Sequence, residues 1–422
     1  MLQMRRSTQS RQNHGTRTAS TRTKPIRAGA LALALGVTLA APQTASAAVS
    51  SSVSGGGTLS VQSDASDRLV ITCLGGIVKI NGNNPGSGPA ACVAIAAIVV
   101  SGGPGANTIN LSGVELTPFS GLTTVSVDGN DGDDTIAGTP FADALDGGAG
   151  NDRVVGARGD DQMLGDAGDD TLVWNNDDGS ETMDGADGTD TVEVNGAAAG
   201  GDVFTIKPDS IAGRVAFQRT NLVPFTLDIR TTEKLAVNGS GGDDSISGAA
   251  GLKGLIALAF AGGDGNDALT GGDGNDALDG GTGNDRLSSG AGDDRLQGGA
   301  GNDSLKSGAG NDSVKGGAGN DSVKRGAGND ALNGGTGRDR LNGGTGDDRL
   351  NGGAGRDVLR GGAGSDVLKG GSGKDSFSGG GSNDRISSAG QRGERVNCGG
   401  GNDRATGTRG DRVSRSCERV RR

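Results

Sequence analysis

Aspartate recurs at every ninth residue in the C-terminal half of this 422-residue chain, and its carboxylate is the group best placed to do chemistry. Between residues 262 and 387, fourteen consecutive nonapeptides follow the pattern G-G-x-G-x-D-x-U-x, in which U is a bulky apolar residue. Glycine-rich turns let carbonyl oxygens approach the carboxylate, and a set of oxygen ligands favours a hard cation. The predicted metal ligands of this array are Asp267, Asp276, Asp285, Asp294, Asp303, Asp312, Asp321, Asp330, Asp339, Asp348, Asp357, Asp366, Asp375 and Asp384.

A shorter and less regular block of the same kind spans residues 129–193. Trp174 lies where the register slips by two residues, and Glu181 stands in an aspartate position, where its longer side chain could still bind a metal. A single further copy supplies one more aspartate, whereas another copy carries Asn107 in place of the acid and contributes no predicted ligand. The predicted ligands outside the main array are Asp134, Asp143, Asp152, Asp161, Asp170, Asp190 and Asp244.

The elements that position these carboxylates are predicted to be short β-strands. The last three residues of each nonapeptide, such as 268–270, form a strand with one inward apolar side chain. Residues 48–128 and 194–261 run apolar strands directly into glycine and aspartate turns, as in EKLAVNGSGGDDSI, so they are expected to continue the same β architecture. Their predicted core residues are Phe204, Ile206, Phe217, Phe225 and Leu227.

The nonapeptide resembles the hemolysin-type calcium-binding repeat of the repeats-in-toxin (RTX) family. The resemblance implies an all-β protein, a parallel β-roll or β-solenoid that binds Ca²⁺, with two nonapeptides in each coil. Each ion would lie between neighbouring loops, so Asp285 and Asp303 would flank one ion and Asp294 and Asp312 another. RTX proteins usually leave the cell on an uncleaved C-terminal signal, and this chain departs from that pattern.

The N-terminal 47 residues carry seven basic residues and no acid, followed by an apolar run and Ala45-Ser46-Ala47. This order is typical of a cleaved secretory signal peptide, and the apolar run is too short for a membrane span. Cleavage would leave 33 basic and 51 acidic residues, a net charge of −18, which disfavours nucleic acid and anionic membranes as partners. It would also remove His14, the only histidine, and with it histidine-based catalysis and HExxH zinc sites.

Four cysteines allow three pairings. In an exported chain the predicted pairs are Cys73–Cys92 and Cys398–Cys417, each closing a short loop near one end of the repeats. A thiolate metal site is the alternative, although the chain has no CxxC pair. Disulfides at these positions would help to cap a solenoid whose terminal edges are otherwise open.

These observations predict a secreted, non-enzymatic calcium-binding protein that is largely disordered without calcium and folds on binding it. The alternatives are a calcium-stiffened surface adhesin or matrix protein, and an RTX-type toxin or hydrolase, although neither flanking segment contains a GxSxG or HExxH motif. The expected location is extracellular, with attachment to the cell surface left open, and no protein or glycan partner is identified. The predicted organisation is a signal peptide (1–47), an N-terminal β segment or cap (48–128), a first repeat block (129–193), an intervening β segment (194–261), the main β-roll (262–387) and a C-terminal cap (388–422).

Overall fold

The computed structural model describes residues 48–388 and 390–422, and the predicted signal peptide lies outside them. The described chain is a β-solenoid with one short 3-10 helix, Cys92–Ala94, and this confirms the predicted all-β class. Among these residues, none of the helical structure is long and apolar enough to cross a membrane.

The strands, in chain order, are β1 (Ser50–Val53), β2 (Thr58–Gln62), β3 (Arg68–Leu74), β4 (Ile77–Ile80), β5 (Ala97–Ser101), β6 (Thr108–Gly113), β7 (Thr124–Asp128), β8 (Thr135–Ala137), β9 (Asp143–Ala149), β10 (Arg153–Val155), β11 (Gln162–Ala167), β12 (Thr171–Asn175), β13 (Thr182–Asp184), β14 (Thr191–Asn195), β15 (Val203–Pro208), β16 (Arg214–Arg219), β17 (Phe225–Arg230), β18 (Lys234–Asn238), β19 (Ser245–Gly248), β20 (Ala257–Asp264), β21 (Ala268–Asp273), β22 (Ala277–Thr282), β23 (Arg286–Ala291), β24 (Arg295–Ala300), β25 (Ser304–Ala309), β26 (Ser313–Ala318), β27 (Ser322–Lys324), β28 (Ala331–Gly337), β29 (Arg340–Thr345), β30 (Arg349–Gly355), β31 (Val358–Ala363), β32 (Val367–Ser372), β33 (Ser376–Gly381), β34 (Arg385–Ser388), β35 (Arg395–Gly400), β36 (Arg404–Gly407), β37 (Arg412–Val413) and β38 (Arg419–Arg421).

Successive strands of the main array alternate between two parallel ladders. In the first ladder, β23 pairs with β25 and Leu287 lies opposite Leu305. In the second, β24 pairs with β26 and Leu296 lies opposite Val314. Both offsets are eighteen residues, so two nonapeptides complete one coil, as the resemblance implied. The ladders continue through the flanking segments, where the antiparallel exceptions in the described chain are β1–β2, β3–β4 and the β15–β16–β17 meander.

The apolar eighth position of every copy in the main array is buried inside the solenoid. The strands are longer than the predicted three residues, however, and most span six, because pairing continues into the first glycines of the next nonapeptide. In β21, for example, both Leu269 and Gly271 face inward, as the two-residue period of a strand requires. The first residue of each copy therefore points into the interior beside the aspartate.

The intervening segment supplies the hydrophobic core that its sequence predicted. Phe204, Phe217 and Phe225 are buried, as are Ile206 and Leu227. Trp174, from the first repeat block, is also buried and stacks on Phe225 with ring centroids 3.8 Å apart. The wider coils formed by β15–β17 thus have an ordinary hydrophobic core, whereas the main array has one aliphatic or aromatic side chain per nonapeptide.

Both predicted disulfides are present, Cys73–Cys92 and Cys398–Cys417. The first ties β3 to the 3-10 helix, and the second ties β35 to the segment before β38. No free cysteine occurs in the described residues, so this part of the chain offers no thiolate site.

Candidate metal centre

The predicted aspartates form two internal columns, one along each ladder. In each column, one carboxylate oxygen (Oδ1) of most aspartates accepts a hydrogen bond from the backbone N–H of the residue that holds the same position one coil earlier. Asp303, for example, accepts from the Asp285 N–H at 2.9 Å, and Asp312 accepts from the Asp294 N–H at 3.0 Å. Column 1 contains Asp134, Asp152, Asp170, Asp190, Asp276, Asp294, Asp312, Asp330, Asp348, Asp366 and Asp384. Column 2 contains Asp143, Asp161, Asp244, Asp267, Asp285, Asp303, Asp321, Asp339, Asp357 and Asp375.

The second carboxylate oxygen of these aspartates is buried, and among the described residues it has no hydrogen-bond donor. This holds for every predicted ligand except Asp143, whose two oxygens accept from the Thr139 N–H at 2.6 Å and the Thr139 hydroxyl at 2.7 Å. A buried polar atom without a partner costs about 1–3 kcal/mol, and more when it is charged. Two columns of such oxygens therefore require a cation or protons.

The first glycine, present in eleven of the fourteen copies of the main array, leaves room beside these unpaired oxygens. A Cβ atom added to Gly316 would lie 2.5 Å from Asp321 Oδ2 and 2.5 Å from the carbonyl oxygen of Gly334, one coil further on. At Gly352 the same distances, to Asp357 Oδ2 and the Gly370 carbonyl oxygen, are 2.5 and 2.6 Å. Neither glycine has a left-handed φ, so these positions are glycine because the space is needed. We call this oxygen-lined space the cradle.

The second and fourth glycines have a different role, because they form the turn. Gly299 and Gly301, for example, have backbone φ values of 107° and 142°, which residues with a Cβ atom rarely adopt. A backbone carbonyl oxygen from the next coil also borders the cradle, as that of Gly334 does beside Asp321. Among the described residues no three carboxylate, histidine or cysteine side chains converge on a common point. An ion in the cradle would consequently need carbonyl oxygens as well as carboxylates, a donor set that suits Ca²⁺.

Asn107 shows how the same loop is satisfied without an acid. It lies in the aspartate position at the start of column 1, where its Oδ1 accepts from the Asp67 N–H at 3.0 Å and its own N–H donates to Asp134 at 2.5 Å. Its amide group donates to the carbonyl oxygens of Gly103, at 3.0 Å, and of Gly105. The Asn107 amide thus supplies donors where an aspartate leaves an unpaired oxygen.

Burial raises the pKa of most of the column aspartates. The pKa rises to about 6 for Asp303, Asp339 and Asp357, chiefly because burial disfavours the charged form, and neighbouring column carboxylates add repulsion. For Asp161, burial and then repulsion by Glu181 raise the pKa to about 9. The metal-free columns therefore hold protons more tightly than free aspartate does.

Several ladder acids were not among the predicted ligands. Glu181 lies in column 2, where it accepts from the Asp161 N–H at 2.7 Å, and Glu233 accepts from the Asp190 N–H in column 1. Asp202 precedes Asp244, and Asp403 follows Asp384. The repeat pattern is recognisable around Asp403. The sequence there, CGGGNDRAT, is a nonapeptide with cysteine at the first position and alanine at the apolar position.

The main array also departs from the uniform repeat pattern at four positions. Ser289, Ser307 and Arg325 replace the first glycine, and Ser382 replaces the fourth. The Ser289 hydroxyl donates to the Ser307 carbonyl oxygen at 2.7 Å, inside the column. The three first-position exceptions follow one another at intervals of eighteen residues, so all of them lie in column 1. The two columns of the array are therefore chemically different.

Comparison with known proteins agrees with this geometry. The family model described as the RTX calcium-binding nonapeptide repeat (4 copies) matches residues 128–163, 138–172, 260–287, 288–323, 325–359 and 360–392. A search of curated proteins found no match. The family match covers both blocks in which the aspartate columns are most regular.

Proposed function

The chain carries RTX calcium-binding repeats, which bind Ca²⁺, and from this premise we propose that it is a secreted, non-enzymatic protein whose folding depends on calcium. The metal ligands in this proposal are the column aspartates through their unpaired oxygens, together with carbonyl oxygens of the glycine turns. Calcium, when bound, would neutralise the stacked carboxylates.

The observation that carries the proposal is the repetition of one buried, unpaired carboxylate oxygen in successive coils. Carboxylates about 5 Å apart, the spacing of adjacent strands, repel each other by about 3 kcal/mol per ionised pair at the effective dielectric constant of proteins. Several such pairs in a column equal the whole net stability of a typical domain, about 5–15 kcal/mol. We expect the ionised columns to be incompatible with the fold unless a cation is bound.

Export and the absence of catalysis are parts of the same proposal. Two disulfides favour an oxidising compartment, and extracellular calcium is high enough to fill sites of moderate affinity. The acids of the columns are engaged in the ladder by hydrogen bonds from the neighbouring coil, which favours a structural role for them over acid–base chemistry. We also propose the domain boundaries that the sequence predicts, without change.

Far-ultraviolet circular dichroism of the purified, metal-stripped protein tests the proposal. Titration with calcium at neutral pH should give a cooperative transition from coil to β-structure, and magnesium at the same concentrations should not. Magnesium is the matched control because it prefers a tight octahedral shell and dehydrates reluctantly. A spectrum that calcium leaves unchanged would contradict calcium-dependent folding.

A further inference from the structure

Arg325 places a positive charge inside column 1. It replaces the first glycine of its nonapeptide, and its side chain is fully buried, as is that of Asp330 five residues later. One guanidinium nitrogen (Nη1) forms an ion pair with Asp330 Oδ1. The other (Nη2) donates to the carbonyl oxygens of Asp312, at 2.8 Å, and Ala331, at 3.1 Å.

Arg325 is exceptional among the basic residues of the array. The remaining lysine and arginine residues between 262 and 387 are exposed, either on the outer face of the strands or in the turns. A basic side chain at the first position of a nonapeptide must instead enter the cradle, because that position faces inward throughout the array.

The backbone around Arg325 has also adapted to the side chain. Strand β27 ends at Lys324 after three residues, whereas its neighbours β25 and β29 each span six. Gly326 lacks the left-handed φ that the second glycine adopts in every other copy of the array. The local departure from regular geometry coincides with the one coil that has a guanidinium in its cradle.

We infer that Arg325 is a built-in cation that takes the place of one calcium ion in column 1. This inference rests on the proposed function, since it assigns calcium to the cradles that contain no basic side chain. The guanidinium contacts carboxylate and carbonyl oxygens, the atoms that an ion would require, and an arginine side chain keeps its positive charge in proteins. This coil is therefore partly neutralised before any calcium binds.

A second buried arginine shows that the solenoid uses this chemistry elsewhere. Arg219 lies 3.2 Å from Asp202 Oδ1, donates to Asn176 at 2.7 Å and stacks over the rings of Trp174 and Phe225. It lies where the β15–β17 meander interrupts column 2. Arg219 thus neutralises a column acid at a break in the repeats, whereas Arg325 does so within the regular array.

The test is a comparison of the purified protein with its Arg325→Gly variant, which restores the repeat pattern. Calcium bound per chain at saturation, measured by mass spectrometry of the metal after gel filtration, should increase by one ion. In chelator the variant should lose more residual β-structure than the unmodified protein, and saturating calcium should restore it. Rescue by calcium distinguishes replacement of an ion from a purely structural contact.

Two further variants complete the experiment. Arg340→Ser removes an exposed arginine at a position that is serine in other copies, and it should change neither the calcium count nor the chelator response. Gly334→Arg places a guanidinium in a regular cradle of column 2, where an added Cβ lies 2.5 Å from the Gly352 carbonyl oxygen, and it should remove one ion. Equal, nonzero calcium counts in the protein, Arg325→Gly and Gly334→Arg would overturn the inference. No bound calcium in any of them would overturn the proposed function itself.

Discussion

Most column aspartates use their two oxygens for different purposes, and Asp143, both of whose oxygens accept from Thr139, is an exception. Oδ1 accepts a hydrogen bond from the coil before, as Asp321 does from the Asp303 N–H at 2.9 Å, and so helps to hold consecutive coils in register. Oδ2 has no protein donor among the described residues and faces the cradle. An amide could keep the first role and would reverse the second, because its nitrogen donates hydrogen bonds where the carboxylate oxygen accepts a cation.

Asp321→Asn should therefore weaken calcium binding without breaking the ladder. We expect the asparagine to donate to turn carbonyls, as Asn107 does. At calcium ten times above Kd, each lost site removes about 1.4 kcal/mol from the free energy of unfolding. Loss of the one or two ions adjoining Asp321 should thus lower that free energy by roughly 1.4–3 kcal/mol, measured by denaturant unfolding at fixed calcium.

Asp293→Asn is the matched control, because it removes one charge from an exposed side chain outside the columns. Asp293 accepts from the Asn311 N–H at 2.7 Å, and Asn275 already makes the equivalent bond to the Asp293 N–H at 2.8 Å. This variant should keep its calcium affinity and stability. Equal losses in the two variants would indicate that general charge, and not the column position, controls calcium binding.

The nine-residue period was enough to predict which aspartates stack in columns and which apolar residues are buried. In a regular array, residues at equivalent positions of successive copies have the same surroundings. Residues outside that period were not predictable in the same way. Glu233 and Asp202 enter the columns only because the β15–β17 segment returns the chain to the ladders. The role of Arg325 depended on knowing that the first position faces inward, and this followed from strands longer than the three residues predicted.

At the scale of the element, a nonapeptide is one strand and one turn, and the turn depends on left-handed residues at its second and fourth positions. Ser382 has a φ of 76° at the fourth position, where the thirteen other copies of the array have glycine. A residue with a Cβ in this conformation costs about 1–2 kcal/mol relative to the right-handed form. The turn between β33 and β34 is therefore strained.

Ser382→Gly should relieve this strain and raise the free energy of unfolding by about 1 kcal/mol, measured by thermal or denaturant unfolding at saturating calcium. Ser365→Gly, at the fifth position of its copy, is the control, since Ser365 does not have a left-handed φ. Added backbone freedom in the unfolded chain should make the control neutral or slightly less stable. Stabilisation of both variants alike would contradict a conformational origin.

At the scale of the whole molecule, the fold places two lines of acids inside a narrow β-solenoid. Most of these acids have a raised pKa, so the folded chain binds protons that the unfolded chain has released. The stability contributed by such protonation is greatest at low pH and is lost as the pH rises through the folded-state pKa. Calcium and protons therefore compete for the same columns, and either can neutralise them.

The metal-stripped protein should consequently acquire β-structure at pH 5 and lose it at pH 8. Free aspartate has a pKa of 3.8, whereas the pKa is about 6 for Asp303 and Asp357 and about 7 for Asp244 and Asp366. At pH 5 these column acids are largely protonated. Ordinary exposed aspartates remain ionised at this pH, so their negative charges still offset the positive charges of the exposed lysine and arginine residues. Circular dichroism of the metal-stripped protein between pH 5 and 8, with a calcium-saturated sample at pH 8 as the folded reference, measures the transition.

Calcium affinity should fall over the same interval as the pH decreases, because each ion must displace protons. Metal-free β-structure that increases as the pH rises from 5 to 8 would show that repulsion within the columns does not govern folding.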